Sequence, residues 1–334
     1  MNKYKYALAD FSYFVTRNLH IVSKKGIGNY TAGDCIKVCI QSINKLQRDF
    51  GVDASKFIFL ADKWDSNFGG YYRTYLLKGL YKDDRIYVTE EMVEQMKNDP
   101  NVTEKKLKKA QEECYFNKIK QEAKAIMVRE LKNFGIPVLM VPAWEFDDLA
   151  YLAAGMLYNS DTQKSVIVTK DSDLMYSVSP RVDLFRTQSK TSPAQFITYD
   201  EMCETIPDEL KGKISLYGYK AYMDSLGEGH NNMRRTKKIG ANPTQTILGL
   251  LGGDYSNVED IDTFQRQLNS FDISKFPRLE EAQNLIANLF GTVGKLGTLE
   301  EFHGFCDRNG ISGISDRYYS SFISKFDSKL FCEV

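Results

Sequence analysis

No stretch of this 334-residue sequence is apolar for long enough to cross a bilayer, and neither sign of charge is in excess, with 44 Lys plus Arg against 44 Asp plus Glu. The first absence removes any expectation of a membrane-spanning helix. The second removes net charge as an argument for a polyanionic partner, so a nucleic-acid surface would have to be a local patch. The six cysteines (Cys35, Cys39, Cys114, Cys203, Cys306 and Cys332) include no C-x-x-C pair and no accompanying histidine at ligand spacing. No secretory signal opens the chain, so reduced thiols and a cytoplasmic location are expected. Internal repeats, low-complexity tracts and the D-x-D-x-D-G spacing of a calcium loop are also absent. What is present is the composition of a soluble globular protein, 43% hydrophobic and long enough for one large domain or two ordinary ones.

The most unusual stretch is Trp144-Glu145-Phe146-Asp147-Asp148. The apolar run Val138-Leu139-Met140-Val141 before it reads as a buried strand, and Leu149, Leu152, Ala153, Met156 and Leu157 after it keep helical spacing. Acids in a first helical turn complement the helix dipole and need no other role. Other strand ends also carry acids, however. Tyr6-Ala7-Leu8-Ala9 runs into Asp10, Phe57-Ile58-Phe59-Leu60-Ala61 into Asp62, and Ser165-Val166-Ile167-Val168-Thr169 into Lys170-Asp171-Ser172-Asp173. Between the first two lies a helical pattern capped by Thr31 or Asp34, which makes a βαβ unit with carboxylates on one edge. Val182-Asp183-Leu184-Phe185 reads as the last strand, and residues 193–200 cross into a helical C-terminal part.

Three further segments bear on binding. Lys63 to Gly70, then Tyr71-Tyr72-Arg73 and Tyr81-Lys82-Asp83-Asp84-Arg85, mix rings with cations. Such mixing suits a nucleic-acid strand, with rings for bases and cations for phosphates, and equally a solvated amphipathic helix. Residues 90–130 are highly charged and predict one or two exposed helices, broken at Asp99-Pro100-Asn101. An insertion of that length is often a lid or binding element. From Gly227 to Pro243 a glycine-punctuated turn carries Arg234, Arg235, Lys237 and Lys238 and opens a helix, which offers N–H groups and positive charge to a phosphate.

A parallel sheet brings its strand ends to one edge, so Asp10, Asp62, Glu145, Asp147, Asp148, Asp171 and Asp173 are expected to converge. Packed carboxylates need cations or raised pKa values. Oxygen donors without His or Cys select Mg²⁺ or Mn²⁺ over Zn²⁺. Two such ions suit phosphodiester hydrolysis.

In these residues the chain resembles the 5′-nuclease (flap endonuclease) superfamily, most of all its phage ribonuclease H branch of 5′ to 3′ exonucleases. The opening Asp is matched by Asp10, and the second strand end by Ala61-Asp62. The R…Y-K-x-x-R segment is matched by Arg73 with Tyr81, Lys82 and Arg85, E-A-D-D by Glu145-Phe146-Asp147-Asp148, and T-G-D-x-D by Thr169-Lys170-Asp171-Ser172-Asp173. The G-D-x-x-D-N…I-G element is matched by Gly227-Glu228-Gly229-His230-Asn231-Asn232 and Ile239-Gly240. The likeness covers roughly residues 4–252. It departs from the pattern at Glu228 and Asn231, which replace two Asp, and at Lys170 and Phe146, which replace small residues.

The resemblance implies an α/β fold with a central, mostly parallel sheet flanked by helices. It places a nuclease domain at 1–200 with a helical arch at about 71–130, and a helical region at 201–334 holding a helix-hairpin-helix element at about 214–252. It implies a metal-dependent, structure-specific 5′ nuclease acting on RNA primers and on flapped or nicked DNA in replication. Site one would be Asp10, Asp62, Asp147, Asp148 and Asp171, and site two Glu145, Asp171, Asp173, Glu228 and Asn231, holding two Mg²⁺ with Mn²⁺ as a substitute. Lys82 and Arg85 would act on the scissile phosphate with Asp171 central to the metals. Arg73, Tyr81, Lys82, Arg85, Arg234, Arg235, Lys237, Lys238, Ile239 and Gly240 would contact DNA, with a K⁺ ion at the hairpin. It further implies a monomer, a single-strand-binding protein as partner, no membrane, and the host cytoplasm if phage-encoded. A PIN-like ribonuclease and a non-catalytic DNA-structure binder are the alternative readings.

Overall fold

The computed structural model describes residues 4–52, 54–78, 88–158, 163–188, 193–229, 233–291 and 298–318. Strand β1 (Ala7–Asp10) leads into helices α1 (Phe11–Val22) and α2 (Ala32–Phe50), then β2 (Phe57–Leu60). Helices α3 (Tyr72–Leu76), α4 (Glu90–Asn98) and α5 (Glu104–Glu130) precede β3 (Val138–Leu139). There follow α6 (Phe146–Tyr158), β4 (Ser165–Thr169), β5 (Val182–Arg186) and β6 (Gln195–Ile197). The C-terminal part holds α7 (Tyr199–Cys203), α8 (Leu216–Ser225), α9 (Pro243–Leu251), α10 (Ile261–Asn269), α11 (Leu279–Gly291) and α12 (Leu299–Arg308).

The sheet order is β3-β2-β1-β4-β5-β6, parallel except for antiparallel β6. Chain order runs outward from β1 to β3 and then returns to β4 beside β1, so the topological switch lies between β1 and β4. Ligands in open α/β sheets collect beyond the strand ends at such a switch. Both faces of the sheet are covered. Ala7, Ala9, Phe57, Phe59, Val166 and Val168 join a core with α1, α2, α5 and α12, while Leu8, Ile58, Leu60 and Ile167 join a second core with α6 and the C-terminal helices. That two-sided burial is why these strands read as unbroken apolar runs rather than as alternating patterns.

The structure revises several expectations. A helix, α1, begins directly after β1, because the Asp10 side chain accepts from Tyr13 N–H and caps it. The α2 cap is a reciprocal box between Thr31 and Asp34. The charged insertion is indeed two helices with the break after Asn98, but α5 is not wholly exposed, since Ala110, Ile119, Ala123 and Met127 are buried. Residues 193–200 supply a sixth strand, which places Phe196 against Phe50 and Phe185. Five cysteines among the described residues are free thiols, and none of the described helices is long and apolar enough to cross a membrane.

Gly33, in the first turn of α2, lies against the loop after α12. A Cβ there would stand 2.3 Å from the Asn309 carbonyl oxygen and 2.8 Å from that of Gly310. Gly33→Ala gains up to about 1 kcal/mol in helix propensity, but the backbone clash should outweigh it with a net loss of about 1–3 kcal/mol in urea unfolding. A variant as stable as wild type would show that the 309–310 backbone gives way freely.

Candidate metal centre

The acids at the strand ends are held by local backbone groups before any ligand is considered. Asp10 accepts from Tyr13 N–H at 2.8 Å, and Asp171 from Asp173 N–H at 2.9 Å. Asp62 reaches across to α6, where its Oδ1 accepts from Phe146 N–H at 2.8 Å, while its Oδ2 accepts from Ser12 Oγ at 3.1 Å. Thr169 donates to Asp10 Oδ2 at 3.4 Å and accepts from Asp171 N–H at 3.1 Å. Asp10 thus caps α1 and Asp171 caps the helical turn after β4, while Asp62 accepts at the N-terminus of α6, beyond the end of β3. The turn into α6 is fixed by Ala143, a non-glycine residue at φ 73°. It is locked by backbone hydrogen bonds to Lys63 and Tyr72.

One cavity of about 540 Å³ is lined by Asp10, Asp62, Glu145, Asp147 and Asp171, with Ser12, Tyr71, Thr74 and the backbone of Gly69 and Gly70. Burial, reinforced by Asp62 and Asp171, pushes the Asp10 carboxyl up to about 7, although the Tyr13 N–H and Lys124 oppose the shift. Burial also holds the Asp147 carboxyl well above the usual range, with Asp171, Glu145 and Asp148 adding to it and Arg73 opposing it. Among the described residues no three acidic, histidine or cysteine side chains stand close enough to ligate one ion as placed. The carboxylates line the walls of the cavity rather than meet, as mutual repulsion requires while protons alone relieve it. An all-oxygen donor set with raised proton affinities fits a hard divalent cation, which would replace those protons.

Other expected residues are placed differently. Asp148 is buried and ion-paired with Arg73, itself only 2% exposed and set over the Phe271 ring at 5.1 Å. Arg73 is therefore an internal counter-ion rather than a DNA contact, and Asp148 faces it rather than the cavity. Asp173 lies in a separate small pocket of about 110 Å³ with Lys220, Asp224 and Glu228. Glu228 is engaged by Arg235 at 3.3 Å and Lys237 at 3.4 Å. Lys237 is 4% exposed and also donates to the Ala241 carbonyl, so it braces the hairpin from inside and is not a DNA contact. Arg234, Arg235, Lys238, Ile239 and Gly240 do lie on the surface, with Ile239 88% exposed. Gly227, at φ 75°, leaves no room for a side chain, since a Cβ would stand 2.4 Å from the Arg235 Cα. Tyr81, Lys82, Arg85 and Asn231 lie outside the described residues.

Sequence reasoning missed Ser12, Lys124, Lys220 and Asp224. Lys124 Nζ donates to Ser12 Oγ at 2.9 Å, and Ser12 donates to Asp62, which ties α5 to the acid cluster. Lys220 and Asp224 pair at 2.5 Å across one turn of α8. Their i,i+4 spacing within a Tyr-rich helix was the available signal.

No protein-family model and no curated protein sequence matches the chain. Among solved structures, it is similar to the flap endonuclease of bacteriophage T5 in a pseudo-enzyme–product complex with DNA and metal ions. There the TM-score is 0.50 at 15% identity, covering 86% of this chain and all of that one. A second structure, the T5 protein co-crystallised with metal ions, gives 0.48 at 16% identity over 91% and 97%. The first likeness is one of fold, and the chain has the 5′-nuclease fold, with its mostly parallel sheet and helical C-terminal part.

The Asp10 shift sets a pH window. Its folded pKa of about 7 lies above the unfolded 3.8, so the folded state keeps a proton that the unfolded state has lost. Stability from this group therefore falls as pH rises from about 4 to about 7 and is level above that. In EDTA the Tm should drop across this window, Mg²⁺ should restore it mainly at the upper end, and Asp10→Asn should flatten the profile. A Tm independent of pH and of Mg²⁺ would contradict the assignment. Arg73→Ala leaves Asp148 buried without its counter-ion and should cost about 3–5 kcal/mol in chemical denaturation. A loss under about 0.5 kcal/mol is what a surface cation would give.

Proposed function

We propose that this chain is a divalent-metal-dependent, structure-specific 5′ to 3′ nuclease acting on RNA primers and on flapped or nicked DNA in replication. The observation that carries this reading is the lining of one switch-point cavity by Asp10, Asp62, Glu145, Asp147 and Asp171, which come from the ends of separate strands. These five would hold Mg²⁺ or Mn²⁺. When bound, the metal would supply an activated water and neutralise charge gathering on the phosphoryl group.

The chain's own residues do the rest. Asp62 is fixed from both sides, by Phe146 N–H and by Ser12, and Lys124 holds Ser12 in turn. Asp171 is oriented by Thr169 and by the Asp173 N–H. Lys82 and Arg85, in the stretch that leads towards α4, are assigned the scissile phosphate. On the hairpin between α8 and α9, Arg234, Arg235 and Lys238 with the exposed Ile239-Gly240 turn are assigned one duplex strand, with K⁺ at the turn. The similar T5 structure holds DNA and metal ions, which supports the same partners here. The arch at about 71–130, the helix-hairpin-helix at about 214–252 and the domain division near residue 200 belong to this proposal. A non-catalytic DNA-structure binder is the second reading, favoured by the engagement of Glu228 with Arg235 and Lys237.

Flap, nicked and RNA-primed duplexes labelled at either end separate these readings. Wild type should cleave in Mg²⁺ and stop in EDTA. Asp171→Asn should lower the single-turnover rate by about 10³-fold or more while duplex affinity changes only a few-fold. Binding without cleavage in either Mg²⁺ or Mn²⁺ would favour the second reading, and near-normal turnover by Asp171→Asn would remove the site assignment.

A further inference from the structure

We propose that Lys220 is the resident cation of the second half of this site, so that the protein takes up one divalent ion where its sequence resemblance implies two. The inference rests on the nuclease reading above, and its test separates the two.

Helix α8 sets Lys220 and Asp224 one turn apart on a buried face. Lys220 Nζ lies 2.5 Å from Asp224 Oδ2 and 4.0 Å from Asp173 Oδ2. The three side chains are only 8%, 2% and 11% exposed. The ammonium also sits 5.0 Å over the Phe271 ring, whose face attracts a cation. Backbone shape fits the pair. A Cβ on Gly229 would stand 1.6 Å from Asp224 Oδ1, so the hairpin glycine leaves the carboxylate its place.

Among the described residues, charge is already balanced here. Asp173, Asp224 and Glu228 face Lys220, Arg235 and Lys237. The larger cavity differs, since five carboxylates line it and Lys124 reaches it through Ser12. A divalent ion takes carboxylate oxygens at about 2.0–2.6 Å, so one bound to Asp173 Oδ2 would stand within about 7 Å of the ammonium. In a pocket of about 110 Å³ the two cations would repel with little water between them. Lys220 thus supplies, without an ion, the charge that holds Asp173 and the strand end before it.

The test counts bound Mn²⁺ by the spectroscopic signal of the free ion, in the full chain without nucleic acid. Wild type should bind one ion, and Lys220→Met should bind two. Should Lys220→Met fail to fold, Asp173→Asn replaces it. The count then stays at one if Lys220 fills the position, and falls from two to one if Asp173 is a metal ligand. Two ions on wild type, or one on both wild type and folded Lys220→Met, overturns the inference and leaves the nuclease reading standing. No ion on wild type removes the metal-nuclease reading and this inference with it.

Discussion

A buried carboxylate beside other carboxylates is stable only with a proton, a hydrogen-bond donor or a cation, and one edge of this sheet uses all three. Asp10 and Asp147 have raised proton affinities. Asp62 and Asp171 are held by N–H groups of the segments that follow the strand ends. Asp148 and Asp224 are paired with Arg73 and Lys220, two cations that flank the same Phe271 ring. The helices around the edge therefore sort the acids. Those that meet an internal cation are neutralised by the fold, and those that line the larger cavity are not.

Capping and ligation are not rival explanations for the strand-end aspartates. Asp10 spends one oxygen on Tyr13 N–H and receives Thr169 on the other, and Asp62 is held in the same two-sided way. Hydrogen bonds of this kind fix the carboxylate without neutralising it, and such fixing is what a metal site asks of the groups around its ligands. The long helix α5 takes part as well. Its inner face packs on α1 and α2, and Lys124 from that helix reaches the acid cluster through Ser12, so the charged insertion and the site are one mechanical unit.

The positions of the five parallel strands, the acids at or just after the ends of β1, β2 and β4 and at the start of α6, and the two-helix insertion were legible in the sequence, because runs such as Phe57-Ile58-Phe59-Leu60 and Ser165-Val166-Ile167-Val168-Thr169 have few other uses in a soluble chain. The pairing of β4 with β1, which creates the switch, was not legible, because the order of strands along the chain does not say which of them pair. Helix α1 and strand β6 were less legible. The first begins without a loop after its strand, and the second is a three-residue edge strand whose aromatic packs on distant rings.

The sequence by itself determined which residue types lie at the strand ends, and hence the all-oxygen chemistry of the cavity, because strand period and strand-end position are local properties. It could not distinguish a cation that faces solvent from one that faces a carboxylate. Arg73 and Lys237 carry the same charge as Arg234 and Lys238, yet the first two are buried and the last two exposed. Only the tertiary structure decided that Asp148 would meet Arg73, that Glu228 would meet Arg235 and Lys237, and that Lys220 would stand between Asp173 and Asp224. Arg73 and Asp148, and Lys220 and Asp173, come from different elements, while Glu228 meets Arg235 and Lys237 across one hairpin; Coulomb attraction at a few ångströms in a poorly solvated interior acts through space, without regard to distance along the chain.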